Sequence, residues 1–266
     1  MTKTLTLIKL GGSIITNKRV PGALRQQELQ RLVAEIALAK RERSDELFIV
    51  GHGQGSFAHV PASKYQTKEG FINQDSVLGM AIVQDSAAQL NRIVVQEFLK
   101  QNLPAVSCYA SNSIVTKKRQ AVHFSPQVLE EYLKQGLLPV TCGDVLVDQE
   151  QGCTIWSTEQ ILAFLADYFK KQGFMVNKVV HVTEVDGFLD KNGQVVKNIN
   201  QHNWQDISRD LYDTQGFDVT GGMLLKVAES LSLAKQGIKS MIISGLRDKN
   251  LYQSLSDREF VGTLIA

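Results

Sequence analysis

Apolar residues along the chain recur with two alternating periods. Residues 4–10 read Thr-Leu-Thr-Leu-Ile-Lys-Leu, the alternation of a strand. Residues 26–42 place Leu29, Leu32, Val33, Ile36 and Ala37 on one face of a helix. Further short apolar segments at 46–51, 104–109, 137–142, 176–182, 238–244 and 260–265 predict strands. Between them, 76–101, 158–172 and 222–236 predict helices, and Ser125-Pro126 reads as the N-cap and first-turn proline of another. In the helix at 222–236 the predicted buried face is Leu224, Val227, Ala228 and Leu231. Strand–helix alternation of this kind predicts an α/β protein whose mainly parallel sheet is covered on both faces. Such sheets bind ligands outside the carboxyl ends of their strands.

The 266 residues suffice for one large domain, and no repeat or low-complexity segment divides them. A soft lobe boundary is expected near 148–152, where Asp-Gln-Glu-Gln-Gly interrupts the apolar pattern. A formal net charge of +2 argues against a nucleic-acid or membrane partner. Lys117-Lys118-Arg119 is the densest basic run and reads as a solvated loop. The cysteines Cys108, Cys142 and Cys153 are odd in number and lack C-x-x-C spacing, which argues against a disulfide framework and against a zinc site. The start of the chain has no signal-peptide pattern, and no apolar run is long enough to span a membrane, so cytoplasmic residence is expected.

Five segments that follow strands carry candidate chemistry. Lys9-Leu10-Gly11-Gly12-Ser13, with Lys18 beyond it, joins a point charge to a backbone that a ligand can approach closely. Gly51-His52-Gly53-Gln54-Gly55-Ser56-Phe57-Ala58-His59 places three glycines within five residues after a strand, an anion nest with a histidine at its rim. Cys142-Gly143-Asp144 and Thr183-Glu184-Val185-Asp186-Gly187 also close strands. Thr220-Gly221-Gly222 opens a helix that carries Lys226, and a helix N-terminus with glycines favours phosphate. Taken together they describe a site for a ligand with several phosphates. The Walker A pattern is absent. Gly53-x-Gly55-x-x-Ala58 meets a loose dinucleotide fingerprint with Asp75 beyond it, but 60–75 is too polar for the second buried strand that fingerprint needs.

In order and spacing, these segments resemble the amino acid kinase superfamily over nearly the whole chain. Ser56-Phe57-Ala58-His59 is similar to the Ser-Phe-Gly-His element of its isopentenyl phosphate kinases. Fosfomycin kinases share the loop histidine and are the nearest alternative. The resemblance implies an αβα three-layer sandwich with a mainly parallel central sheet, usually a homodimer. The N-terminal lobe would bind the acceptor and the C-terminal lobe the nucleotide. ATP and Mg²⁺ would serve as donor and cofactor, with isopentenyl phosphate as the small-molecule acceptor. Lys9, Gly11, Gly12, Ser13 and Gly55 would bind ATP phosphates. Lys18 and Lys226 would neutralise charge on the transferred group. His59 would hold the acceptor phosphate, helped by the backbone at Gln54 and Gly143. Asp186, Gly222 and Lys226 would contact the nucleotide.

The sequence departs from that pattern in three places. Gln54 replaces a glycine usual in the loop, and if the position requires a positive φ the exchange costs about 1 kcal/mol or more. Ala58 replaces the glycine before the histidine. Ser157-Thr158-Glu159 stands where an Asp-containing segment is usual. A site of lysines, glycine N–H groups and a histidine suits transfer to an already ionised phosphate, which needs no strong base. No dedicated carboxylate cage for a metal is evident, as expected where Mg²⁺ is carried on substrate phosphates and water.

Overall fold

The computed structural model of the protein describes residues 3–17, 19–212 and 221–266. The chain opens with β1 (Thr4–Leu10), a single turn α1 (Gly12–Ile15), α2 (Gln26–Glu42) and β2 (Leu47–His52). There follow α3 (Gly55–Lys64), α4 (Ser76–Lys100), β3 (Ala105–Ser107), β4 (Ile114–Lys117), β5 (Gln120–Phe124) and α5 (Gln127–Lys134). Next come β6 (Leu138–Cys142), β7 (Asp144–Asp148), β8 (Gly152–Trp156), α6 (Thr158–Lys171) and β9 (Met175–Thr183). The rest is β10 (Asn198–Ile199), α7 (Trp204–Tyr212), α8 (Gly221–Ala234), β11 (Lys239–Ser244), α9 (Asn250–Leu255) and β12 (Gly262–Ile265).

Among the described residues, eight strands form the main sheet in the order β10-β12-β11-β9-β1-β2-β6-β3. All neighbours run parallel except β11 and β12. The pleat of β1 sorts its side chains between two layers. Ile8 and Leu10 pack with α2, α4 and α9 on one face. Leu5 and Leu7 pack with α5 and α6 on the other. The result is the three-layer αβα sandwich, because each face of a buried parallel sheet must be covered by helices. The strand order reverses beside β1, so the crevice at the carboxyl ends of β1, β2 and β9 is where this topology places a ligand.

Several elements differ from the sequence reading. A second sheet, ordered β5-β4-β7-β8, was not foreseen, because short two-sided strands carry no clean apolar period. Residues 148–152 form the turn of its β7–β8 hairpin, with Asp148 opposite Gly152. Ser125 does not cap α5: the N-cap is Pro126, and the Ser125 hydroxyl lies 2.8 Å from His123 Nε2. In α8 the buried side is Val227, Ser230, Leu231 and Leu233, while Ala228 is exposed. No helix among the described residues is long and apolar enough to cross a membrane.

Candidate active site

Lys9 is the next residue after Leu5 and Leu7 in the alternation of β1, so it leaves the sheet on the α6 side. There it meets the first turn of α6. That helix begins at a capping box in which the Ser157 hydroxyl accepts from Gln160 N and the Gln160 side-chain oxygen accepts from Ser157 N. Thr158 ties the helix start to β2 by donating to the carbonyl of His52 at 2.7 Å. Glu159 is thereby held over Lys9, its Oε1 2.7 Å from Lys9 Nζ and 3.1 Å from Lys226 Nζ of α8. Burial pushes the Glu159 carboxyl up, but Lys9 and Lys226 more than offset it and hold it well below the usual carboxylate range. The position that departs from the family pattern thus carries the acid that joins two of the expected site lysines. Sequence reasoning noted Glu159 only as a departure; its signal was an acid in a helix first turn.

The glycine loops supply close approach. A Cβ on Gly12 would lie 2.5 Å from the nitrogen of Gly55, and one on Gly53 would lie 2.6 Å from the nitrogen of Gly12. The two loops therefore pass backbone to backbone, which only glycine permits. Thr16 locks them together: its hydroxyl donates to Gly12 O at 2.7 Å and accepts from Ser56 N at 3.1 Å. The Gly11 N–H is committed to Val182 O at 2.9 Å, and a Cβ on Gly11 would lie 2.7 Å from that oxygen.

The second loop runs directly into α3, a helix the sequence reading did not foresee. His59 consequently sits on the second turn of a helix, exposed to the cavity, instead of in a loop. No strand follows α3; a turn and then α4 do, which removes the dinucleotide alternative. Gln54 has φ −78°, so the position demands no left-handed backbone and the exchange carries no such strain. Its amide donates to Gly143 O at 2.6 Å, while Gly143 N–H reaches His52 O at 3.2 Å.

These parts surround one cavity of about 700 Å³. Its lining includes the linked charges Lys9, Glu159 and Lys226 and the adjoining backbone of Gly12, Ser13 and Gly55. An apolar set, Ala58, Ala62, Val83, Val145 and Ile155, which pack as one cluster, lines it too, together with Ala87 and Trp156. His59, Gln54 and Gly143 also line it. Val77, Leu78 and Ala81, from the apolar stretch of α4, are exposed and do not line it. Asp186 lies elsewhere, in the loop after β9, where Arg247 clasps both its oxygens at 2.6 and 2.7 Å. That guanidinium holds the Asp186 carboxyl below its ordinary value. Gly222 is in the first turn of α8. Lys18 and the segment Asp218-Val219-Thr220 lie outside the described residues. Among the described residues, no group of three or more His, Cys, Asp or Glu side chains could hold a metal ion.

Comparison with known proteins agrees with this geometry. The chain is 31% identical over 259 residues to the isopentenyl phosphate kinase of Methanocaldococcus jannaschii, covering 94% of this chain and 95% of that one. It is 30% identical to the isopentenyl phosphate kinase of Methanothermobacter thermautotrophicus, covering 98% of both. A solved isopentenyl phosphate kinase structure superposes with a TM-score of 0.82 at 27% identity, over 98% of this chain and all of that one. The sequence model of the amino acid kinase family matches residues 4–244. A lysine-rich, glycine-lined centre on an αβα sandwich, matched over almost its whole length, places this chain in the amino acid kinase family, and it is a small-molecule kinase.

Proposed function

We propose that this protein transfers the terminal phosphoryl group of ATP to isopentenyl phosphate, forming isopentenyl diphosphate and ADP. The observation that carries this reading is that one cavity is lined both by a glycine-rich set around Lys9 and Lys226 and by an apolar, alanine-rich cluster. A phosphate with a short branched hydrocarbon tail matches both. Glutamate or UMP would leave the apolar cluster unmatched. The relatives named above support the choice over a fosfomycin kinase.

In this reading an oxygen of the acceptor phosphate attacks the terminal phosphorus, and the bond to the bridging oxygen of ADP breaks. Lys9 and Lys226 hold the phosphates of the nucleotide and stabilise charge as it spreads over the transferring group. Lys18 does the same. Gly12, Ser13 and Gly55 let the phosphates approach the backbone. His59 donates a ring N–H to the acceptor phosphate, beside Gln54 and Gly143. Asp186, from the loop after β9, and Gly222, from the first turn of α8, face the nucleotide. The N-terminal half up to the β7–β8 hairpin, which includes 148–152, then serves the acceptor. Mg²⁺ entering with ATP would neutralise phosphate charge and would take its ligands mainly from phosphate oxygens and water. The working form is a cytoplasmic homodimer, which light scattering after gel filtration checks.

The test is ADP release with isopentenyl phosphate, dimethylallyl phosphate, fosfomycin, glutamate and UMP as acceptors. Isopentenyl phosphate is expected to exceed fosfomycin in kcat/KM by about tenfold or more, the scale on which an apolar pocket discriminates. The opposite ranking rejects the assignment.

A further inference from the structure

Two histidines are buried in the central sheet, and they differ. His52 is 0% and His181 is 2% exposed. His52 has a neighbour at each ring nitrogen: Gly53 O lies 3.2 Å from Nδ1, and Asn91 Nδ2 lies 3.2 Å from Nε2. Buried polar groups are normally satisfied in this way. His181 leaves Nδ1 buried without a hydrogen-bond partner. That is a cost in stability. Val179, Val180 and Val182 beside it show that β9 readily houses apolar residues in its place.

Its position accounts for the exception. His181 is the register partner of Lys9. Paired residues on neighbouring strands leave the sheet on the same face. Leu7 and Val179, two residues earlier on each strand, pack in the layer that contains α6. Lys9 and His181 therefore both enter the space under the start of α6. The charges that act on the imidazole are those of Glu159, Lys9 and Lys226. Burial, assisted by the two lysines against Glu159, keeps the ring neutral down to about 3. A neutral ring has one unprotonated nitrogen that accepts, and an ammonium has three protons to donate. Lys9 and Lys226 presently share a single oxygen of Glu159.

We infer that His181 is a positioning residue of the phosphoryl-transfer centre, bracing the Lys9–Glu159–Lys226 cluster from the sheet and offering a lysine a second acceptor when phosphates draw it from Glu159. This rests on the reading of the site as an ATP-dependent transfer centre, and it does not depend on which acceptor is used.

The test compares the wild type with His181→Phe, which keeps the ring volume, and His181→Asn, which keeps a polar atom near the place of Nδ1. His181→Leu replaces the Phe variant if thermal unfolding shows that the latter does not fold. Calorimetry with AMP-PNP and with ADP needs no acceptor. His181→Phe is expected to weaken AMP-PNP relative to ADP by about fivefold, and to lower kcat by about tenfold with the acceptor KM within about twofold. His181→Asn is expected to recover most of both. An unchanged nucleotide ratio with wild-type kcat overturns the inference, as does an equal loss in the Asn and Phe variants. A wild-type enzyme that ignores isopentenyl phosphate removes the acceptor assignment, while the nucleotide ratio still decides the role of His181.

Discussion

Lys9 Nζ lies 2.7 Å from Glu159 Oε1, and the two residues are 6% and 8% exposed. The pair bridges β1 and the first turn of α6, with Lys226 completing it from α8. Replacing the carboxylate by an isosteric amide removes the negative charge shared by the buried Lys9 and the half-buried Lys226. Glu159→Gln is therefore expected to cost about 3–5 kcal/mol of stability, as breaking one side of a buried pair does. It is also expected to lower kcat by about tenfold or more without weakening ATP binding, since the local charge becomes more positive. Urea unfolding and steady-state kinetics measure the two effects. A variant with wild-type kcat would remove Glu159 from the transfer centre.

Lys226 is oriented by Glu159 and lines the cavity. If it and Lys18 stabilise the transferring group, Lys→Met at either lowers kcat on the order of 10²-fold, the effect of losing one preorganised donor. For Lys18→Met the ATP affinity is expected to change much less than kcat. Near-normal kcat in that variant would return Lys18 to the role of a solvated lysine.

His59 and His52 sit seven positions apart and predict opposite phenotypes. His59 is exposed to the cavity, so His59→Ala is expected to raise the acceptor KM by about tenfold, the loss of one charge-assisted hydrogen bond. The KM for ATP should stay within about threefold. His52 joins Gly53 to Asn91 inside the sheet, so His52→Ala acts on stability. Steady-state kinetics of both variants with both substrates distinguishes them. An unchanged acceptor KM and kcat in His59→Ala would discard its phosphate-holding role.

Ala87 is 3% exposed and forms part of the apolar wall. Ala87→Leu fills space that the tail of the acceptor needs. It is expected to lower kcat/KM for isopentenyl phosphate by about tenfold while leaving the KM for ATP alone. Equal loss for both substrates would mean that the substitution disturbs α4 instead of the pocket.

Stability should fall on mild acidification. Burial lowers His52 to about 4 and His181 to about 3. The unfolded chain takes up these protons near pH 6.5, so it binds more protons than the folded chain below that value. The stabilisation is complete above about pH 6.5 and is lost as pH falls towards the folded values, by up to about 1.4 kcal/mol per unit for each group. Glu159, whose carboxyl is held low, loses its contribution in a lower window, beneath the ordinary carboxylate range. Urea midpoints from pH 7.5 to 4.5 record the slope. His52→Gln, though less stable at pH 7, is expected to flatten it. An unaltered slope in that variant would show that His52 does not carry the effect.

Much of this architecture is legible from local pattern. The strand at 4–10 and the helix at 26–42 match Thr4–Leu10 and Gln26–Glu42, because α2 buries one periodic apolar face and β1 alternates its side chains between two covered layers. The helix over 55–64 is not legible: its first residue is glycine, Pro61 lies inside it, and its apolar residues form no stripe. The small sheet escapes for a similar reason, since β5 carries exposed and half-buried residues along its length.

The site divides along the same line. Lys9, the glycine loops, His59 and Lys226 are marked in the chain by residue type and by their place after strands or at a helix start, which is where backbone groups stand open to a ligand. Glu159 and His181 have no such mark. One is an acid at an ordinary helix start, and the other is a histidine in a valine-rich strand. Local sequence sets which face of an element is apolar and where it ends. Which charges then meet depends on strand register and helix placement, contacts that join Lys9 to residues 150 positions away. Only the packed sheet brings Lys9 and His181 side by side and lays α6 across them.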